Sequence, residues 1–236
     1  MVTIPTSNEL SQAAVSIGHR LNKRHPKMAK YIQGAKNGIN LIDLKKTAEK
    51  LKEALDYVEQ LGAQNATLVF VATKPAAKGL VKKYAEEINM PYINQRWLGG
   101  TLTNFSTISK LIEKLKKLSD GKEKGDWEKY TKKERLNMEK DMDRLEFMVG
   151  GLKTLTKLPD AVYVVDILQE ATAVDEARKK KVPIVAITDT NTNPEKVTYA
   201  IPANDDATKS INLITGLIVE AYKQGQVKAK KEVKKD

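Results

Sequence analysis

The sequence predicts an α/β protein in which a doubly wound parallel sheet carries an inserted pair of long helices. Apolar, β-rich runs alternate with helix-length amphipathic segments, which is typical of strand–helix–strand units. Several of these runs, such as TLVFVA at Thr67–Ala72, are continuously apolar, as in strands buried on both faces. One interval between consecutive predicted strands spans roughly seventy residues, whereas an ordinary crossover needs about a dozen.

The first predicted element is a helix that begins at the capping box Thr6-x-x-Glu9 and runs to about Ile17. A basic, proline-containing connector follows it. Ile39–Ile42 then predicts a short buried strand, counted as the first, and Asp43 is placed to cap the next helix.

That next helix has its apolar residues at helical spacing, and Gly62 suits its C-terminal stop. The second strand is Thr67–Ala72, and a helix over Pro75–Ile88 leads to a third short strand, PYI. After the long interval, the predicted elements are a strand at Ala161–Asp166, a helix at Glu170–Lys181, a strand at Ile184–Ile187 and a helix at about Ala207–Lys223.

The long interval predicts two helices, Thr103–Leu118 and Thr131–Met148, with narrow apolar stripes near a 3.5-residue period. Such stripes favour an antiparallel coiled-coil hairpin with SDGKEKGDWEKY at its tip, and an ordinary core helix pair is the alternative. The predicted organisation is a sheet domain (residues 1–102 and 151–225), a coiled-coil hairpin (103–150) and a disordered basic tail (226–236).

Composition narrows the class of protein. The 236 residues are 41% hydrophobic, enough for a sizeable core, and no apolar run approaches the ~18 residues that would span a bilayer. The absence of cysteine excludes disulfides, a thiolate zinc site and a cysteine nucleophile. With no secretory signal visible at the N-terminus, we expect a cytoplasmic protein with no membrane partner.

The net charge of +11 indicates a phosphate-rich partner, and it is clustered. Residues 19–36, the basic connector, contain no acid. On the first hairpin helix, Lys110–Lys117 has four lysines against Glu113. We therefore predict contacts to nucleic acid from the connector and this helix through Arg20, Lys23, Arg24, Lys27, Lys30, Lys110 and Lys114.

The stretch INQRWLGGTLTNF, Ile93–Phe105, forms a loop between the third strand and the hairpin. An arginine provides a planar fork for phosphate, and a helix N-terminus exposes N–H groups that bind anions. Alternatively, the loop is a structural turn with its tryptophan packed under the sheet. The candidate RNA-binding residues are Arg96, Thr103 and Asn104, and the loop-packing residues are Trp97, Gly99 and Gly100.

An enzyme is not supported by the sequence. No G-x-G-x-x-G or P-loop follows any predicted strand, and the only histidines, His19 and His25, lie in the basic connector. Asp189, Asp205 and Asp206 could bind Mg²⁺, although such clusters more often cap helices and shape turns. We predict no catalytic residue, cofactor, metal ligand or small-molecule substrate. A protein-interaction scaffold and a phosphate-binding α/β enzyme are the alternatives.

Several motifs together resemble one family. NQRWLGGTLTNF, the pattern GH-x10-NGI-x2-IDL-x-KT from Gly18 to Thr47, and the later LPDA, DTNTNP and IPANDDA are similar to the universal ribosomal protein two family of the small subunit, in its bacterial form. The resemblance extends from about Glu9 to Gln224.

The resemblance implies a flavodoxin-like α/β domain with a coiled coil inserted after the third strand. It also implies a non-enzymatic, structural component of the small ribosomal subunit that binds 16S ribosomal RNA and supports translation. The expected partners are this RNA and neighbouring small-subunit proteins, with the large mRNA-binding protein as an open alternative.

Overall fold

The computed structural model describes residues 2–232 and contains two sheets. The larger sheet is fully parallel and consists of β4 (Leu68–Val71), β5 (Tyr92–Ile93), β6 (Ala161–Val165), β7 (Ile184–Thr188) and β8 (Tyr199–Pro202). The spatial order of these strands is β5-β4-β6-β7-β8. Numbered within this sheet, the order is 2-1-3-4-5, the flavodoxin-like arrangement, so the predicted α/β class with a doubly wound parallel sheet is confirmed.

Successive side chains of the central strands enter two different apolar clusters, because a strand projects alternate residues to opposite faces. In β4, Leu68 and Phe70 belong to one cluster and Val69 and Val71 to the other. The first cluster is covered by α1 (Ser7–Gln12), α2 (Leu44–Ala63), α3 (Pro75–Glu87) and α7 (Thr208–Glu232). The second is covered by α4 (Phe105–Glu123), α5 (Lys132–Val149) and α6 (Ala171–Lys179).

A small antiparallel sheet was not predicted. It consists of β1 (Ile17–Arg20), β2 (Ile32–Lys36) and β3 (Ile39–Ile42), in the order β1-β3-β2. Ile39–Ile42 does form a strand, but the prediction that it is the first strand of the parallel series was wrong, because it belongs to the small antiparallel sheet. The first helix is also shorter than predicted: it ends at Gln12, and Ile17 already belongs to β1. Strand β8 was missed as well.

Helices α2 and α7 pack closely through glycines. A Cβ on Gly62 would lie 2.1 Å from the carbonyl oxygen of Tyr222, and one on Gly225 would lie 2.0 Å from that of Glu59. Gly62 is thus not the predicted helix stop, because α2 continues to Ala63 and the glycine permits contact with α7. Helix α7 continues through residues 226–232, where a disordered tail was predicted, and residues 233–236 lie outside the described residues.

The inserted helices run in opposite directions, as shown by ion pairs from Lys114 to Asp141 and from Lys122 to Glu139. Helix α4 extends to Glu123, into the predicted tip, and α5 begins at the predicted capping box of Thr131. The buried seam residues share the second cluster with the sheet: Ile108, Ile112, Leu115, Leu145 and Val149. The base of the hairpin is therefore part of the sheet's core, and coiled-coil geometry stays a prediction. Among residues 2–232, no helix combines the length and apolarity needed to cross a membrane.

Candidate functional site

The strand order reverses between β4 and β6, and the carboxyl ends of these strands are where doubly wound sheets bind ligands. Here that crevice is occupied by the side chain of Lys74, which follows β4. Its Nζ lies 3.1 Å from Asp166 Oδ2, 2.9 Å from Asp205 Oδ1 and 2.5 Å from Asp206 Oδ1. Burial alone would lower the pKa of Lys74, but hydrogen bonds to Asp206 and Asp205 outweigh it and raise that pKa above its ordinary value. A resident cation thus holds three strand-end loops together.

Neighbouring groups at these strand ends are also engaged. Thr73 donates its amide and hydroxyl to Glu170 Oε1 at 2.7 and 2.6 Å. Asp166, in the left-handed region at φ 67°, accepts the amides of Leu168 and Gln169 through Oδ1. The polar groups that could otherwise bind a nucleotide or a substrate phosphate are therefore occupied by hydrogen bonds within the protein.

Asp205 is the most buried of the three carboxylates around Lys74, with 1% of its surface exposed. Burial, reinforced by the charges of Asp166 and Asp189, raises the pKa of Asp205 to about 7. Lys74 opposes this effect without cancelling it. The carboxyl group of Asp205 therefore holds its proton to a higher pH than an exposed aspartate does.

The start of the basic connector is attached to the loop after β7. His19 donates its backbone amide to Thr190 Oγ1 at 2.8 Å, and the amide of His25 donates to the carbonyl of Thr190 at 2.8 Å. The His19 ring places Nδ1 3.2 Å from Asp189 Oδ2 and Nε2 3.4 Å from Asp206 Oδ2. The hydrogen bond to Asp189 is the largest of the effects that raise the pKa of His19. Both histidines thus help fix the connector.

The basic side chains of the connector face solvent, since Arg20, Lys23, Arg24, Lys27 and Lys30 are all exposed. The buried side chains of Met28 and Tyr31 anchor the backbone of the connector to the rest of the protein. Lys27 forms an ion pair with Glu195. No ion pair involves the other four among the described residues.

The loop from Gln95 to Asn104 does bind an anion, but the anion is the protein's own Glu176 on α6. Its Oε1 accepts from the Trp97 indole at 3.1 Å and from the Gly100 amide at 2.7 Å. Its Oε2 accepts the amides of Leu102 at 2.9 Å and Thr103 at 3.0 Å, and also the Thr103 hydroxyl at 3.0 Å.

This arrangement changes the predicted role of the loop. The backbone N–H groups that were expected to bind phosphate donate to Glu176 instead. The Thr103 hydroxyl donates to Glu176 as well. Trp97 is buried, and Gly100 has a φ of 91°, which favours glycine. A Cβ on Gly99 would contact nothing within 4 Å, so packing does not require that glycine.

The ionisation of Glu176 follows from these contacts. With 6% exposure, its burial alone would raise the pKa. The hydrogen bonds from Thr103, Trp97, Leu102 and Gly100 outweigh burial, and the pKa of Glu176 lies below its ordinary value. Sequence reasoning missed this residue, although a signal was present: Glu176 lies between Ala173 and Ala177 on the buried face of α6.

The remaining candidates are exposed and lie apart from this carboxylate. Arg96 lines a cavity of about 280 Å³ together with Lys82, Glu146 and Phe147, and makes no ion pair within the described part of the chain. Asn104 precedes α4 without capping it. On α4, Lys114 pairs with Asp141 at 2.9 Å, whereas Lys110 points to solvent without such a pair among residues 2–232.

The strand ends of the flavodoxin-like sheet are filled by the protein's own side chains, and the basic connector beside them is exposed. These features are typical of a protein that binds an anionic partner through its surface. The sequence model of the family described as ribosomal protein S2 matches residues 10–225. The chain therefore belongs to the ribosomal protein S2 family, a family of structural ribosomal proteins and not of enzymes. Membership places the protein in the ribosome, among ribosomal RNA and other ribosomal proteins.

We expect Glu176→Gln to lower the free energy of unfolding by roughly 2–4 kcal/mol at pH 7, because an amide turns one NH₂ group towards buried N–H donors. The folded pKa of Glu176 is depressed, so its stabilisation is present above the unfolded pKa of about 4.3 and is lost as pH falls through the folded value. The difference between parent and variant should therefore shrink at acidic pH, as measured by urea unfolding.

The matched control is Asp175→Asn, which neutralises an exposed carboxylate on the same helix. If both variants unfold at the same urea concentration at pH 7, the loop does not depend on Glu176.

Proposed function

We propose that the protein binds 16S ribosomal RNA through the basic connector, residues 19–36, and thereby supports translation as a structural component of the small subunit. The observation that carries the proposal is a run of exposed cationic side chains on a backbone attached to the sheet. Phosphate contacts supply most sequence-independent affinity for nucleic acid, and they require positive charge at the surface.

Preorganisation of the connector supports this role. Its backbone is fixed by the contacts of His19 and His25 with Thr190 and by the burial of Met28 and Tyr31. Less conformational entropy is therefore lost when the cationic side chains meet RNA. Arg20, Lys23 and Arg24 are also free of competing ion pairs among the described residues, so no internal contact must break.

The hairpin and its junction provide further candidate contacts. Lys110 and Lys114 extend from α4, and Arg96 and Asn104 are exposed where the chain enters that helix. We propose that the hairpin beyond its buried base is a separate arm that reaches ribosomal partners. Thr103 is left out of this surface because Glu176 occupies its amide and hydroxyl.

Neighbouring ribosomal proteins are the second class of proposed partner. Leu136 and Phe147 on α5 are 51% and 60% exposed, and large exposed apolar side chains favour contacts with protein. The large mRNA-binding protein stays a prediction from the resemblance. The phosphate-binding enzyme loses its support, because Lys74 and Glu176 occupy the two places where a phosphate would bind.

Replacing Arg20, Lys23, Arg24 and Lys27 together by alanine should weaken binding to small-subunit RNA. Fewer counterions are released on binding when phosphate contacts are lost. The magnitude of the slope of log affinity against log salt concentration should therefore fall by up to roughly 3. The measurement is RNA binding by the purified protein over a series of salt concentrations.

The control for this variant replaces four exposed lysines elsewhere, Lys52, Lys78, Lys179 and Lys209, so both proteins lose four positive charges. Equal affinity and salt slope in the two variants would mean that net charge, and not the connector, governs RNA binding.

At the loop, Arg96→Ala and Asn104→Ala should reduce incorporation into small subunits with little change in melting temperature, because both side chains are exposed. Trp97→Ala should melt clearly earlier, since truncating a buried tryptophan costs ~3–5 kcal/mol. Thermal unfolding and subunit occupancy are measured side by side. Normal incorporation of Arg96→Ala would remove this residue from the RNA-binding surface.

A further inference from the structure

A cavity of about 280 Å³ lies where the edge strand β5, α3 and the base of α5 meet. Its volume is just below the ~300–1,000 Å³ of pockets that hold drug-sized ligands, so it has room for one nucleotide and not for an RNA helix. We infer that this cavity binds a single unpaired nucleotide of the ribosomal RNA, with the nucleobase against Phe147 and the phosphate at Arg96. The inference rests on the proposed function, because it adds a second mode of contact with the same RNA.

The walls of the cavity are fixed by contacts within the protein. The segment that follows α5 lies directly on β5, since a Cβ on Gly151 would be 2.3 Å from the carbonyl oxygen of Tyr92. Glu146, which lines the cavity, forms an ion pair with Lys153 at 2.7 Å. Ile93, another lining residue, is buried in the second apolar cluster. A preformed cavity of this kind loses little conformational entropy when a ligand binds.

Phe147 gives the cavity an exposed aromatic surface. Its side chain is 60% exposed and lines the cavity, whereas Leu136, which is also exposed on α5, lies outside it. The apolar seam of α5 runs through Leu145 and Val149, so packing of the hairpin does not account for the phenyl ring. Bases of single-stranded RNA stack on aromatic side chains, because every nucleobase has a π face. The position of Phe147 therefore favours a nucleobase as the ligand.

The positive charge for a phosphate comes from two other elements. Lys82 on α3 and Arg96 after β5 are both exposed, and both line the cavity. Within residues 2–232, Arg96 forms no ion pair, and Lys82 has a single long contact of 3.8 Å with Glu86. A guanidinium group binds phosphate through a planar fork of N–H donors. A phosphate at this position would meet cations that the protein's own carboxylates leave largely free.

Hydrogen-bond acceptors beside Phe147 favour guanine over adenine. Asp143 also lines the cavity and precedes Phe147 by one helical turn, so the two side chains share a face of α5. Asn94 donates its Nδ2 to the carbonyl of Lys78 at 3.4 Å, which leaves its Oδ1 as an acceptor. The Watson–Crick edge of guanine presents two adjacent donors, N1–H and the N2 amino group, and one carboxylate can accept from both. Adenine presents one donor group on that edge.

The test measures binding of the purified full chain to the single-stranded RNA pentamers UUGUU and UUAUU. We expect UUGUU to bind roughly 5–150-fold more tightly, the discrimination typical of one good contact to a base edge. GMP is the comparison that separates RNA from a free mononucleotide. If GMP binds as tightly as UUGUU, the site takes a mononucleotide and the assignment to RNA is overturned.

Phe147→Ala should weaken binding to UUGUU roughly 5–150-fold, since stacking on the ring is lost. The slope of log affinity against log salt concentration should not change, because no phosphate contact is lost. Arg96→Gln should instead lower the magnitude of that slope by roughly 0.7. Asp143→Asn should abolish the preference for guanosine. The matched control is Leu136→Ala, which truncates an exposed apolar residue of the same helix outside the cavity and should bind as the parent does.

Two further variants separate stacking from other roles of Phe147. Phe147→Trp keeps an aromatic ring, so it should bind UUGUU as the parent does, and its fluorescence should be quenched on binding. Phe147→Leu keeps an apolar side chain without a ring and should bind as weakly as Phe147→Ala. If Phe147→Leu binds like the parent, the residue acts by apolar packing, as in a contact with protein, and the inference is overturned. Circular dichroism checks that each variant is folded.

The inference also fails if Phe147→Ala binds UUGUU as tightly as the parent, or if the parent does not distinguish the two pentamers. Failure of the proposed function has a different signature. It appears as unchanged binding of whole 16S RNA when the four cations of the connector are replaced, whatever residue stands at position 147.

Discussion

The buried carboxylate of Glu176 is the contact on which the junction between sheet and hairpin depends. Between β5, which ends at Ile93, and α4, which begins at Phe105, the chain must turn, and the turn leaves several N–H donors away from water. Glu176 accepts from the Trp97 indole and from the amides of Gly100, Leu102 and Thr103. Hydrogen bonds to an ionised acceptor are stronger than neutral ones, especially in a low-dielectric interior. The start of α4 is therefore fixed to α6.

An internal charged side chain also joins separate segments at the carboxyl ends of the parallel strands. Where a doubly wound sheet commonly binds a ligand, the ammonium group of Lys74 bridges Asp166, Asp205 and Asp206. Internal charges thus occupy both places where the fold favours an anion or a cofactor. The cationic side chains left for a partner are those on the surface, and the basic connector displays them from a backbone held by Thr190.

Local sequence signals predicted the parallel strands β4 to β7 and both capping boxes, because continuous apolar runs and Thr-x-x-Glu patterns depend on neighbouring residues. Features that depend on distant partners were missed. Strand β8 was not distinguished from the loops around it, and the pairing of β1 with β3 has no local signature. Gly62 has the local pattern of a helix stop, but the reason for a glycine there is its close contact with Tyr222, which is distant in sequence. In the loop, the partner of the Trp97 indole could not be predicted, because Glu176 lies far along the chain.

Amide hydrogen exchange of the loop tests the central claim most directly. If Glu176 holds the loop, the amides of Gly100, Leu102 and Thr103 should exchange slowly in the free protein. They should lose protection selectively in Glu176→Gln, while the strand amides of the sheet keep theirs. Fast exchange of these three amides in the parent, or unchanged protection in the variant, would contradict the account.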